Sequence, residues 1–198
     1  SEDGSCQMIE ETFPEVTLIR NNTLYGFAKN NNIGAAQTSA PMLLFLNPDT
    51  EVTPGALRAM LAVSERHPHC GIFGGRLSDA DRQIERSVGA FPTLTSLAID
   101  RLLAALSMLR PLLDHHSQRH YLRYDIERQV AWTTGAYLWI RRDVFDALEG
   151  WDSEIFMYGE DADLCYRSHK LGRPVLYTPD SQAFHYHNKV PLDRTRRK

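Results

Sequence analysis

Cysteine is scarce in this chain. Cys6, Cys70 and Cys165 are few, odd in number and far apart, with no C-x-x-C pair. That excludes the disulfide framework of a small secreted domain, leaves no paired-cysteine signature of a structural zinc or a redox centre, and fits a reducing, cytoplasmic compartment. An excess of positive charge is also missing: Lys plus Arg number 22 against 25 for Asp plus Glu, a formal net charge of -3. With no overall basic field, nucleic acid is not an expected partner, and any site for a polyanion must be local. No apolar run is long enough to span a bilayer, because residues 97–113 are interrupted by Asp100, Arg101 and Arg110. No N-terminal stretch reads as a signal peptide. The chain opens on Ser1 rather than Met and enters a helix-start pattern at once, as a piece of something longer would. What is present is ordinary globular material: 198 residues, 42% hydrophobic and 24% charged, enough for one domain with a sizeable core.

Strand-like and helix-like segments alternate along the chain. Residues 5–13 carry a cap-like Ser and near-helical apolar spacing closed by Pro14, and Val16-Thr17-Leu18-Ile19 reads as a short strand. A helix is expected over residues 27–38. Met42-Leu43-Leu44-Phe45-Leu46, between prolines, has the look of a strand buried on both faces. Thr53-Pro54 begins a helix running to about Arg66, and Cys70-Gly71-Ile72-Phe73-Gly74 is a further strand. After a turn at 79–82, residues 83–88 can pair as a short strand. Leucines at 97, 102, 103, 106, 109 and 113 form a broad helical stripe. Residues 131–140 read as strand, 142–148 as a short helix, and 160–171 as a helix closed by Gly172; strands at 175–177 and 182–187 finish the chain. The alternation argues one α/β domain.

Four groups of residues could carry chemistry. Leu46-Asn47-Pro48-Asp49 places a carboxylate just past the end of the buried strand, where ligands of open α/β sheets bind and a carboxylate can hold a hard divalent cation. The same residues also make a good turn. Glu160, Asp161 and Asp163 crowd three acids into four positions at a helix start. A helix N-terminus favours one or two acids; three repel each other, which suits a general base or calls for a cation. His185 and His187 alternate on a strand and face the same side, as a ligand pair or as one ligand with a bystander. Trp132-Thr133-Thr134-Gly135-Ala136 has the small residues that let a backbone approach a ligand, or simply a tight strand crossing. The histidines at 115, 116 and 120 look like a solvated helix end, and the basic C-terminus like a frayed tail.

Taken in order, these pieces resemble the family-2 inverting glycosyltransferases of the GT-A fold, especially the rhamnosyltransferase-like branch. The resemblance rests on Glu2-Asp3-Gly4-Ser5, on N-T-L-Y-G-F-A-K-N-N-N-I-G from Asn22 to Gly34, and on Leu46-Asn-Pro-Asp-Thr-Glu-Val52. It continues through Trp132-Thr-Thr-Gly-Ala136 with Arg141-Arg142, Gly150-Trp151-Asp152, and Phe156-Met-Tyr-Gly-Glu-Asp-Ala-Asp-Leu-Cys-Tyr-Arg167, ending at Tyr177-Thr-Pro-Asp180 and His185. It implies a single domain over residues 1–198 with a mixed, mostly parallel sheet flanked by helices. The front of the family pattern, a strand carrying base-binding residues and the helix and strand that follow it, has no counterpart here, so the resemblance implies a fold lacking its first strands. Residues 94–130 fall where the family varies, and are expected to form a helical segment on the acceptor side or at a membrane surface.

For the site, the resemblance implies that Asp161 is the catalytic base with Glu160 positioning the acceptor, and that Asp49 and His185 hold Mg2+ or Mn2+. It further implies that Asp3, Asn31, Asn47 and Gly135 contact the nucleotide-sugar. Asn47 stands where the family often has a first acid, which leaves the metal one carboxylate fewer. The activity implied is transfer of a sugar, rhamnose being the branch's common one, from a nucleotide-diphosphate sugar to a hydroxyl of a glycan or lipid-linked acceptor with inversion. Such enzymes build cell-surface polysaccharide at the inner face of the plasma membrane. Two other classes also fit parts of the pattern: a glycoside hydrolase, which uses paired carboxylates but needs neither metal nor nucleotide, and a non-catalytic transferase-like module.

Overall fold

The computed structural model describes residues 3–91 and 123–187. In chain order the elements are α1 (Ser5–Thr12), α2 (Phe27–Ala35), β1 (Met42–Leu46), β2 (Thr50–Val52), α3 (Ala56–Arg66), β3 (Ile72–Ser78), β4 (Val88–Gly89), β5 (Arg128–Val130), β6 (Trp132–Thr133), β7 (Tyr137–Arg141), α4 (Arg142–Ala147), α5 (Glu160–Lys170) and β8 (Val175–His185). The expected helical segment at 94–130 lies mostly outside the described residues; of it only β5 and the turn before it are described.

Six strands form one sheet in the order β1-β7-β3-β8-β2, with β5 pairing β8 beside β2. The sheet is mixed, as expected, but its balance differs from a mostly parallel one. Among the described strands only β3 and β8 run parallel, and the other four pairings are antiparallel. The reason lies in β7, which enters between β1 and β3 in the opposite sense to both, and in β2 and β5, short segments that return against β8.

The sequence of β7, Tyr-Leu-Trp-Ile-Arg, explains its central place. Tyr137 and Trp139 pack on one face with Met60 and Val63 of α3, while Leu138 and Ile140 pack on the other with Val144, Phe145, Trp151 and Leu164. Helix α3 thus covers one side, and α2, α4 and α5 the other. The ring of Trp151 is the hub of the second side, edge-on to Phe27 at 5.2 Å and to Phe45 at 5.0 Å. Burying side chains of this size contributes about 1.5–3 kcal/mol each.

Local expectations were met unevenly. The strand over 42–46 and the helix from 160 to its Gly172 close are as expected, with Gly172 at φ +75°. The two final strands are one: β8 runs through Thr178-Pro179-Asp180-Ser181, because its register against β3 jumps between Gly75 and Arg76 and absorbs the extra residues. Pro179, which has no N–H to give, sits at that irregularity. Residues 16–19 are not a strand; Val16 and Ile19 are exposed, and among the described residues no strand pairs with them. Among the described residues no helix is long and apolar enough to cross a membrane.

Candidate active site

Strand β1 ends at Leu46, and Asn47-Pro48-Asp49-Thr50 turns the chain into β2, with Thr50 N donating to the Asn47 carbonyl at 3.1 Å. The turn expected of this segment is therefore present, and it sets Asp49 just past the end of β1. Thr50 stands opposite His185 in the β2–β8 register, and Tyr186 N donates to the Asp49 carbonyl at 2.9 Å. That pairing brings the Asp49 carboxylate to 3.3 Å from Nε2 of His185. The Asn47 amide reaches the same nitrogen at 3.5 Å.

The other face of this histidine is held by a residue the sequence does not single out. Glu85, on the segment after β3, lies 3.1 Å from Nδ1 of His185 and 2.7 Å from Nε2 of His187. The two imidazoles stack with centroids 4.0 Å apart, so both histidines do face one side, although His187 has left the strand at φ +46°. The His185 ring thus has a carboxylate at each nitrogen, Glu85 at Nδ1 and Asp49 at Nε2. Two ligand atoms each ~2.1 Å from a shared cation and at right angles would be about 3.0 Å apart, close to the observed separation. The nitrogen and oxygen donors of His185 and Asp49 suit a borderline-to-hard divalent ion, so this pair fits the expected cation.

On the other side of β7, Gly159 enters α5 at φ +96° and the three acids part company. Asp161 Oδ2 accepts the backbone N–H of Gly135 at 3.2 Å. Glu160 is buried, with its Oε2 atom unpartnered. Burial pushes its carboxyl above the ordinary glutamate range and the neighbouring Asp161 adds to the shift, while the Glu160 and Tyr158 backbones oppose it. Asp163 points away, paired with Arg167 at 2.7 Å, and Arg167 also donates to the carbonyls of Leu148 and Gly150. The crowd of three carboxylates expected from the sequence is thus two at the site and one in a structural ion pair.

Gly135 joins the halves. Its N–H holds Asp161, and the next carbonyl, that of Ala136, accepts from Asn47 N at 3.0 Å. The start of β7 is therefore hydrogen-bonded both to the Asp161 carboxylate and to the backbone of Asn47, two residues before Asp49. Two expected contacts are not part of this group. Asp3 bonds within its own turn to Ser5, whose backbone and hydroxyl lower the carboxyl below its usual range, and it is exposed. Asn31 donates to Phe27 O one helical turn back. Its neighbour Asn32 is the asparagine that reaches across the fold, accepting from Trp151 N at 2.9 Å and donating to Trp151 O at 2.8 Å. Trp132 is turned to the Ala90 carbonyl at 3.1 Å rather than toward Asp161.

The model described as glycosyltransferase like family 2 matches residues 1–198. The chain belongs to glycosyltransferase family 2. Among curated relatives, an N-acetylglucosaminyl-diphospho-decaprenol L-rhamnosyltransferase of Mycobacterium tuberculosis is 29% identical over 197 residues, covering 94% of this chain and 64% of the relative. The rhamnosyltransferase WbbL of Escherichia coli K12 is 28% identical over 171 residues, covering 82% and 61%. The chain thus spans less than two thirds of either relative. Among solved structures, GalNAc-T7 with UDP, GalNAc and Mn2+ superposes with a TM-score of 0.63 at 15% identity, over 94% of this chain and 35% of that one. The mannosyltransferase PcManGT of Pyrobaculum calidifontis in complex with GDP-Man and Mn2+ gives 0.58 at 14%, over 96% and 46%. The fold of this family-2 chain is therefore the GT-A type, a mixed sheet flanked by helices.

Proposed function

We propose that this chain transfers a sugar, rhamnose by analogy with its named relatives, from a nucleotide-diphosphate sugar to a hydroxyl of a glycan or lipid-linked acceptor, with inversion, in cell-surface polysaccharide synthesis. The observation that carries the reading is the convergence at the start of β7. Gly135 N–H fixes the Asp161 carboxylate, and the next carbonyl holds the backbone of Asn47, whose turn carries Asp49 to His185.

Asp161 takes the proton of the acceptor hydroxyl as that oxygen attacks the anomeric carbon, and the Gly135 N–H keeps the carboxylate oriented for it. Glu160, beside it and raised by burial, orients the acceptor. Asp49 and His185 are the residues that would hold Mg2+ or Mn2+, with Glu85 fixing the imidazole from behind. When bound, the cation supplies positive charge where the leaving diphosphate gains negative charge. Asn47 and Gly135 lie within this group and are the donor-side contacts of the proposal; Asp3 and Asn31 are not needed for it. Contact with the inner face of the membrane is the corollary of a lipid-linked acceptor, and liposome flotation without binding would remove it.

The test is turnover. Purified chain with Mn2+, a panel of nucleotide-sugars and lipid-linked glycan acceptors should release nucleoside diphosphate, and Asp161→Asn should lower the rate by about 10²–10⁴-fold with its melting curve retained. A folded wild-type chain inert toward the whole panel would sink the enzymatic reading in favour of a binding module.

A further inference from the structure

At the other end of β7 the structure gathers a second set of metal-ligand side chains. His67-Pro68-His69-Cys70 follows α3, and one donor atom from each of His67, His69 and Cys70 lies within 4.8 Å of the others. Cys70 is fully buried, His67 half-buried and His69 exposed, so the thiol sits beneath two imidazoles, one of them open to solvent. The loop is tied down on several sides. The Arg141 guanidinium donates to the carbonyls of Cys70 at 2.8 Å, of His67 at 3.4 Å and of Ser64. Cys70 N donates to His67 O at 3.1 Å, and Gly71 N to Pro174 O at 2.9 Å. Outside the group, Glu127 Oε1 lies 2.6 Å from Nε2 of His67 while its Oε2 pairs with Arg66 at 3.2 Å, so this carboxylate holds the ring from behind.

This donor set differs in kind from that at Asp49. A sulfur with two imidazoles suits three positions of the tetrahedral shell of a borderline-soft ion, whereas Mg2+ and Mn2+ are served by oxygen-rich sites. We propose that His67, His69 and Cys70, with Glu127 orienting the His67 ring from outside, form a binding site for a thiophilic divalent cation of the zinc class, at the opposite end of the sheet from Asp49 and Asp161. Binding forms a metal–sulfur bond as the Cys70 thiol gives its proton to solvent. Burial pushes that thiol up, partly opposed by Arg141 and Arg173, and a coordinated cation removes the penalty on the thiolate. The site braces the end of α3 to the start of β3. It is separated from Gly135 by the length of β7, ~13 Å of strand.

Co2+ is the probe. Titrated into reduced, chelator-treated chain, it should give a thiolate-to-cobalt charge-transfer absorption that saturates at one equivalent and is displaced by Zn2+. Cys70→Ser should abolish the band. His69→Ala, at an exposed position that leaves the fold intact, should weaken Co2+ binding at least tenfold, and Glu127→Gln should weaken it on the order of 10–100-fold. Asp49→Asn should leave the titration unchanged. The proposal is overturned by a folded wild-type chain that gives no band, by a band that survives in Cys70→Ser and so arises from Cys6 or Cys165, by a His69→Ala titration identical to wild type, or by loss of the band in Asp49→Asn.

Discussion

Removing Glu85 isolates the contribution of a residue that touches no substrate in the proposed mechanism. Its carboxylate lies 3.1 Å from Nδ1 of His185 and 2.7 Å from Nε2 of the exposed His187. In Glu85→Ala, Nδ1 of His185 loses its acceptor, and nothing then keeps Nε2 as the unprotonated nitrogen facing Asp49. Outer partners of ligating histidines contribute about 10–100-fold to metal affinity, roughly 1.4–2.7 kcal/mol. Mn2+ affinity, followed by the electron paramagnetic resonance signal of the free ion, should fall by that factor in the chain with a nucleoside diphosphate present. Glu85→Gln should recover most of the loss, because an amide oxygen can still accept from Nδ1 while the NH2 meets His187, whose exposure leaves it free to change tautomer. Melting temperature should move little in either variant. Unchanged Mn2+ affinity in Glu85→Ala, or a glutamine variant no better than alanine, would refute the idea that Glu85 acts by fixing the imidazole.

Asn32→Ala strands the N–H and C=O of the buried Trp151, at about 1–3 kcal/mol for each unsatisfied group, and the urea midpoint should drop accordingly. Gly135→Ala would set a Cβ 2.9 Å from the Phe27 ring, which is itself packed on Trp151; displacement costs about 1–3 kcal/mol, and thermal melting should report it. Glu160 has a folded-state pKa above its unfolded value, so its contribution is full in acid and is lost as pH rises past 4.5 through the raised value. Glu160→Gln should therefore gain on wild type in urea titrations at pH 7 and lose that advantage toward pH 4.

Elements were readable in the sequence where the local signal was strong on its own. Met42–Leu46 is an apolar run between prolines, and α5 has acids at its start and a left-handed glycine after its end. Strands β2 and β5 were not readable, because Thr-Glu-Val and Arg-Gln-Val acquire strand geometry only by lying against β8. The opposite failure is Val16 to Ile19, β-prone residues for which the fold provides no partner. Of the proposed site, Asp49, Asn47, Gly135, Asp161 and His185 stand out in the sequence through motif order. Glu85 carries no motif, and it meets His185 from 100 residues away only because β3 and β8 run side by side. Asn31 and Asn32 show the limit of reading a polar run: the helix turns one back on itself and sends the other across to Trp151.

Strand β7 explains why the family motifs on either side of it behave so differently. Its apolar residues alternate between the two cores, which fixes the strand in register against both β1 and β3. A rigid strand transmits that register to both of its ends. At the first, Gly135 and Ala136 present a backbone N–H and a carbonyl that fix Asp161 and Asn47 with no side chain in the way. At the second, Arg141 and Arg142 gather carbonyls, Arg141 from the end of α3 and the loop after it, Arg142 from Ala35, Thr38 and Ala40 after α2. Each arginine donates to carbonyls at and just beyond a helix C-terminus, where intrahelical donors run out. The arginine pair quoted among the family's segments is therefore architecture, and it holds the far end of the strand whose start bonds both Asn47 and Asp161.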